Sequence, residues 1–268
     1  MLDDPLLEFT IQLVKDAGDL LLEYFHHTNK NISLKNDRSV VTEADLAVDQ
    51  LISRELHIRF PGDRIISEEL SPRVEAINGE GGGESIWVID PLDGTTNFTL
   101  GLPFWGTLLT RTQSGMPSMT VMYFPLLDEL YTAIDGQGGY LNREPIHAIM
   151  DLSETTIAFF ACCSRTHRFY DIKIPYKTRI LGSAAYSLCM VGLGAALIGF
   201  EATPKIWDIA GPWLLVKEAG GVIEPFSGKP PFPISSSINY ENEKYPTLAA
   251  ATPELMIKAR NWIRPKPS

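Results

Sequence analysis

Residues 85–98 read Ser-Ile-Trp-Val-Ile-Asp-Pro-Leu-Asp-Gly-Thr-Thr-Asn-Phe. The β-branched and aromatic run from Ser85 to Ile89 predicts a buried strand. Asp90 then falls at the strand's C-terminal edge, where open α/β sheets usually carry their chemistry. Pro91 and Gly94 force the chain to turn. Such a turn can aim Asp90, Asp93 and the Leu92 carbonyl at one point, an all-oxygen arrangement of the kind Mg²⁺ accepts. Gly94-Thr95-Thr96 would open a short helix whose free N–H groups face a phosphate. Pro-x-Asp-Gly is also an ordinary turn, so the stretch does not decide the matter alone.

Three other segments shift the balance. Ser67-Glu68-Glu69 follows the apolar pair Ile65-Ile66, so Glu68 closes a second strand edge; adjacent glutamates are otherwise solvated surface. Trp207-Asp-Ile-Ala-Gly-Pro212 places Asp208 directly before an apolar-periodic run ended by Gly220-Gly221. As a helix N-cap Asp208 would need no further role. Lys35 to Asp45 is a polar loop running into a helix with apolar residues at Leu46, Val48, Leu51, Ile52, Leu56 and Ile58, where Thr42 or Asp45 can cap.

Taken together and in this order, these segments resemble the inositol monophosphatase family, the lithium-sensitive, magnesium-dependent sugar phosphatases. The resemblance covers nearly the whole chain, with Asp90 to Phe98 and Trp207 to Gly211 as its two signatures. It implies an α+β or α/β layered fold, an α-β-α-β-α five-layer sandwich, dividing into an N-terminal half 1–150 and a C-terminal half 151–268. It also implies hydrolysis of a phosphate monoester of a small polyol or sugar, such as inositol 1-phosphate, by metal-activated water. Two or three Mg²⁺ per subunit would be held by Glu68, Asp90, the Leu92 carbonyl, Asp93 and Asp208. Thr95 would orient the water, assisted by Glu68 and Asp45, and Gly94, Thr95 and Thr96 would bind phosphate oxygens. Asp93, Gly182, Ser183, Ala184, Glu201 and Asp208 would meet the substrate. Family members are commonly homodimers, which the resemblance extends to this chain. Fructose 1,6-bisphosphate, histidinol phosphate and 3′-phosphoadenosine 5′-phosphate are alternative substrates on the same motifs. A non-catalytic partner-binding protein on the scaffold is the alternative of a different class.

Two departures from the family pattern stand out. The stretch between Arg165 and Gly182 is short, and Cys163 stands where a small hydroxyl residue is often found. That stretch also holds Arg165, Arg168, Lys173, Lys177 and Arg179 against Asp171 alone. It reads either as a solvated loop or as a clamp for a second phosphate.

The remaining observations narrow the class. Residues 181–200 carry no charge, but Gly192-x-Gly194 splits them into a helix of about ten residues and a short strand from Ala195 to Phe200, each of globular length. With 23 Lys and Arg against 33 Asp and Glu, the net charge is −10, which does not advertise nucleic-acid binding and would repel phosphoesters unless metals reversed the local sign. Cys162, Cys163 and Cys189 form no disulfide framework and fit reduced thiols in a cytoplasmic protein. The first helix, near 4–26, has amphipathic spacing with acids among its apolar residues and reads as no signal peptide. Strands are expected at 104–112, 118–124, 129–134, 156–163, 221–225 and 247–251. Helices are expected at 42–60, after Asp208 and at 253–263, with Arg264 to Ser268 as a frayed end.

Overall fold

The computed structural model describes residues 4–26, 32–34, 40–71, 73, 75–76, 85–149 and 158–267. The chain runs α1 (Pro5–His26), β1 (Ile32–Leu34), β2 (Val40–Thr42), α2 (Glu43–Arg59), β3 (Arg64–Ser67), β4 (Glu75–Ala76), β5 (Ser85–Asp93) and α3 (Thr95–Leu100). A meander follows: β6 (Gly106–Gln113), β7 (Met116–Phe124), β8 (Glu129–Ile134), β9 (Gly139–Leu141) and β10 (Glu144–Ile146). The rest comprises β11 (Phe159–Cys162), α4 (Ser164–Phe169), β12 (Tyr170–Ile172), β13 (Lys177–Arg179), α5 (Ala184–Gly192), β14 (Ala196–Glu201), α6 (Ile206–Glu218), β15 (Val222–Pro225), β16 (Thr247–Ala250), α7 (Pro253–Trp262) and β17 (Ile263–Pro265).

Two sheets organise these elements. The larger has the order β10-β9-β8-β7-β6-β5-β3-β4, and the smaller β13-β11-β14-β16-β15. In the larger sheet β3 and β5 are parallel, with Ser67 beside Ile89, so both strands deliver their C-terminal ends to one edge. That pairing brings Glu68 next to the Asp90 segment, and the Glu68 N–H donates to the Ile89 carbonyl at 3.2 Å.

Alternation along β5 builds the layers. Trp87 and Ile89 belong to one apolar cluster with Val14, Leu21, Val48 and Ile52 of α1 and α2. Ile86 and Val88 belong to another with Leu188 of α5 and Ile209 and Leu215 of α6. A strand buried on both faces reads as continuous apolar sequence, and each such fully buried side chain contributes about 1.5–3 kcal/mol. In the smaller sheet Ala161 and Ala249 face the α5–α6 layer, whereas Phe160, Phe200 and Leu248 pack with Leu255 and Ala259 of α7. The succession helix pair, sheet, helix pair, sheet, helix is the expected five-layer sandwich.

Several expectations need correction. β5 does not stop at Asp90 but continues through Asp93, with its register against β6 shifting between the two acids. A bulge thus re-aims both carboxylates without ending the pairing. Asp208 is not the N-cap of α6; it lies in the first turn, and its carboxylate accepts the Lys205 N–H at 2.8 Å. The basic stretch 165–179 is no loop, since it forms α4, β12 and β13. Nor is the C-terminus frayed at Arg264: β17 pairs antiparallel with β12, Asp171 opposite Arg264. The strand expected from residue 156 begins at Phe159, residues 156–157 lying outside the described ones together with Lys35 to Ser39 and most of 70–84. Among the described residues no helix is long and apolar enough to cross a membrane; the run 181–200 is α5 and β14.

Candidate active site

Glu68, Asp90 and Asp208 each offer a carboxylate oxygen within 4.8 Å of the other two. They reach one point from three elements: the end of β3, the bulge of β5 and the first turn of α6. Backbone packing fixes the third. A Cβ on Gly211 would stand 2.6 Å from the Met122 sulfur and 2.8 Å from Thr120 Oγ1, so only glycine lets α6 lie this close to the sheet. Pro212, one residue on, has no N–H to offer the Asp208 carbonyl, which is left without its helical donor.

The cluster is electrostatically crowded. Asp90 is 1 % exposed, its Oδ1 accepts the Leu92 N–H at 3.1 Å, and its Oδ2 is buried with no hydrogen-bond partner. Burial first, then the charges of Glu68, Asp93, Asp208 and Asp45, push its carboxyl well above the usual range. Asp208 is pushed up to about 8 by burial and by Glu68 and Asp93. Carboxylates crowded at such proximity repel one another, and a bound cation offsets that repulsion. An orphaned buried oxygen beside two further carboxylates therefore fits a hard divalent ion.

Asp93 faces the same cavity but is held by α5. The Ser183 hydroxyl donates to its Oδ2, while the N–H groups of Ala184 and Ala185 donate to Oδ1 and Oδ2, each at 3.2 Å. Burial pushes its carboxyl up to about 6 despite these bonds. Ser183 also caps α5 by accepting the Tyr186 N–H at 3.0 Å. Its hydroxyl is thus engaged within the protein, a role that the expectation of substrate contact had not included.

Gly94 adopts φ +85°, and a Cβ there would meet the Phe104 carbonyl at 2.6 Å, so glycine is required where β5 turns into α3. Thr95 follows, its hydroxyl within bonding distance of Asp45 Oδ1 at 3.2 Å and the Leu92 carbonyl at 3.0 Å. Asp45 is itself fixed, because its Oδ2 accepts the Thr42 N–H at 2.7 Å and the Thr42 hydroxyl at 2.6 Å. Thr42 caps α2, as the sequence allowed, yet the same capping box orients a carboxylate fifty residues from Thr95.

Glu68, Asp93, Gly94, Thr95, Thr96, Gly182, Ser183, Ala184, Glu201 and Asp208 all line one cavity of about 320 Å³, at the low end of small-molecule sites. Glu201 is no exposed strand end: it is 2 % exposed, and its Oε1 has no partner. Burial, then Cys163, pushes its carboxyl well above the usual range. Cys163 and Arg165 line the cavity too. Of the five basic residues between 165 and 179, Arg165 alone does so; it donates to the Thr203 hydroxyl at 3.1 Å, whereas Arg168 lies exposed over the Phe169 ring.

Two site residues escaped the sequence reading. Asn97 is buried and donates to the carbonyls of Phe104 at 2.7 Å and Leu181 at 2.8 Å, tying α3 to the Gly182 segment. Asp49, on α2, accepts the N–H groups of Glu69 and Leu70.

Comparisons with known proteins agree with this geometry. The sequence profile described as the Inositol monophosphatase family matches residues 2–256. Inositol monophosphatase 3 of Solanum lycopersicum is 35% identical over 238 residues, covering 84% of this chain and 87% of that protein. The fructose-1,6-bisphosphatase/inositol-1-monophosphatase of Thermotoga maritima is 32% identical, covering 88% and 91%. A solved structure of a Thermotoga maritima IMPase superposes with a TM-score of 0.76 at 27% identity, covering 95% of this chain and 96% of the other. An acidic cluster between a bulged strand and a glycine-seated helix thus sits in a chain that belongs to the inositol monophosphatase family, a family of phosphoric monoester hydrolases.

Proposed function

We propose that the protein is a Mg²⁺-dependent phosphatase that hydrolyses the phosphate monoester of a small polyol or sugar, with inositol 1-phosphate as its substrate. The observation that carries this reading is the convergence of Glu68, Asp90 and Asp208 within 4.8 Å, one buried oxygen of Asp90 being unpartnered. These three acids, the Leu92 carbonyl and a reoriented Asp93 would hold two or three ions. When bound, such ions lower the pKa of an attacking water and neutralise charge on the departing oxygen.

The protein's own groups have definable tasks in that reaction. Thr95 has one hydroxyl proton for two acceptors. Given to Asp45, it leaves the oxygen lone pairs free to accept a proton-bearing edge of the attacking water, which orients it. The N–H groups of Gly94, Thr95 and Thr96 start a helix and have no intrahelical partners, so they suit phosphate oxygens. Glu201, buried with a spare oxygen, suits a substrate hydroxyl, and Gly182, Ser183 and Ala184 form the adjoining wall.

The same reading takes the halves 1–150 and 151–268 as two domains with the site between them, since Glu201 and Asp208 come from the second and the other acids from the first. It also takes the protein as a cytoplasmic homodimer. Cys162, Cys163 and Cys189 are all free thiols, and the exposed apolar side chains of Leu100, Leu102 and Ile180 flank the segment that Asn97 ties down.

Arg165 favours a second reading, in which the cavity also accepts a sugar bisphosphate. A panel of inositol, fructose, galactose, histidinol and nucleotide phosphates, run with Mg²⁺ and repeated with Li⁺, tests both. Inositol 1-phosphate should show the highest kcat/KM and be inhibited by Li⁺. Arg165→Ala should reduce kcat/KM for fructose 1,6-bisphosphate selectively, while Arg168→Ala should not. Equal losses on both substrates would remove the bisphosphate reading, and preference for a nucleotide would remove the first.

A further inference from the structure

Glu68 sits on a tight turn between β3 and the segment ending at Ser71, and something must hold that turn in place. The Ser67 N–H donates to the Ser71 carbonyl at 2.8 Å, and the Ser67 hydroxyl accepts the N–H of Leu70 at 3.3 Å and of Ser71 at 3.0 Å. These bonds close the turn on itself, and the Glu68 N–H bond to the Ile89 carbonyl ties its start to β5. Asp49 attaches the residues that follow Glu68 to α2. It is 0 % exposed on the inner face of α2, and one oxygen, Oδ2, accepts both the Glu69 and the Leu70 N–H at 3.2 Å. The other, Oδ1, accepts the Ser53 hydroxyl at 3.1 Å, which fixes the carboxylate plane from one turn further along the helix.

A wholly buried acid is retained only where it satisfies several donors, and here two of the donors are the peptide groups that follow Glu68. We propose that Asp49 is a positioning residue that fixes the turn presenting Glu68 to a divalent ion. The inference rests on the reading of Glu68 as a metal ligand. Its action is geometric: Asp49 locks the peptide plane next to the ligand, so Glu68 meets the ion without reorganising. An Asn side chain can place its carbonyl oxygen where Oδ2 stands and turn its amide toward the serine hydroxyls, so it should preserve the lock. Alanine removes it.

Titration of the full chain with Mg²⁺ by calorimetry, beside steady-state kinetics, tests this. Partners of a ligand usually contribute about 10–100-fold to metal affinity. Asp49→Ala should therefore weaken Mg²⁺ binding by about tenfold or more and raise the Mg²⁺ concentration for half-maximal rate equally. Substrate KM at saturating Mg²⁺ should change by less than about twofold, and Asp49→Asn should bind Mg²⁺ within about threefold of the parent. If Asp49→Ala does not fold, Ser67→Ala loosens the same turn from its other side and should show the same pattern at smaller size. Parent-like Mg²⁺ affinity in the folded deletion variant, or an Asn variant as impaired as the Ala one, would overturn the inference. A parent chain that binds no Mg²⁺ would instead defeat the metal-site reading beneath it.

Discussion

Replacing Asp90 by Asn should make the metal-free protein more stable while removing its response to Mg²⁺. Oxygens of Glu68, Asp90 and Asp208 lie within 4.8 Å of one another. Two unit charges at that separation repel by about 3.5 kcal/mol at an effective dielectric of ~20, so Asp90 faces up to roughly 7 kcal/mol from two neighbours. Proton uptake by the cluster relieves part of this, as the raised carboxyls of Asp90 and Asp208 indicate, and about 3 kcal/mol is a reasonable remainder. A chain of 268 residues unfolds with an entropy near 0.56 kcal/mol per degree, so the relief corresponds to a rise of about 5 °C in Tm. The Asn amide also occupies the same volume and can retain the Leu92 N–H bond. The assay is thermal unfolding at pH 8 in EDTA and in excess Mg²⁺, parent against Asp90→Asn. In EDTA the variant should melt higher; in Mg²⁺ the parent should gain several degrees and the variant almost none. A variant that melts lower than the parent in EDTA, or that gains as much from Mg²⁺, would refute the reasoning.

Two further outcomes follow from the same geometry. The carboxyls of Asp93 and Asp208 are raised, to about 6 and about 8, so the metal-free native state binds more protons than the unfolded chain between pH 4 and pH 8. The stability these two groups contribute should accordingly be fully present at and below about pH 4 and be lost progressively as pH rises through their folded values toward 8; urea unfolding in EDTA from pH 4 to pH 8 checks this, and saturating Mg²⁺ should flatten the slope. Thr95→Ala should lower kcat by about 10²–10³-fold with little change in KM, while Thr95→Ser should retain most activity, since only the hydroxyl that bonds Asp45 is required; stopped-time phosphate release measures both.

The sequence disclosed the ends of strands better than their partners. Asp90, Asp93 and Glu68 were legible because each terminates an apolar run beside turn residues, and the two runs are parallel neighbours in the sheet. The bulge that carries β5 through Asp93 was not, since Pro91 reads as a strand terminator and only pairing with β6 shows that the ladder resumes. Asn97 and Asp49, and the part that Ser183 plays in holding Asp93, were obscured for another reason. Each is a small polar residue with an ordinary local explanation, and its decisive partner lies 84, 20 or 90 residues away. Asp49 did leave a trace: Asp45, Asp49, Ile52 and Leu56 fall on one helical face, and two acids on a buried stripe signal a polar task. Asp208 shows the opposite error, where a cap-like position concealed a residue already inside its helix.

On the proposed function, Glu68, Asp90 and Asp208, which meet within 4.8 Å, together with Asp93 would hold divalent ions that the hydrolysis requires. The most direct test is phosphate release from inositol 1-phosphate as a function of free Mg²⁺, starting from EDTA-treated protein. Release should be absent without the ion and rise cooperatively with it; turnover that persists undiminished in EDTA would mean that these acids bind no ion the reaction needs.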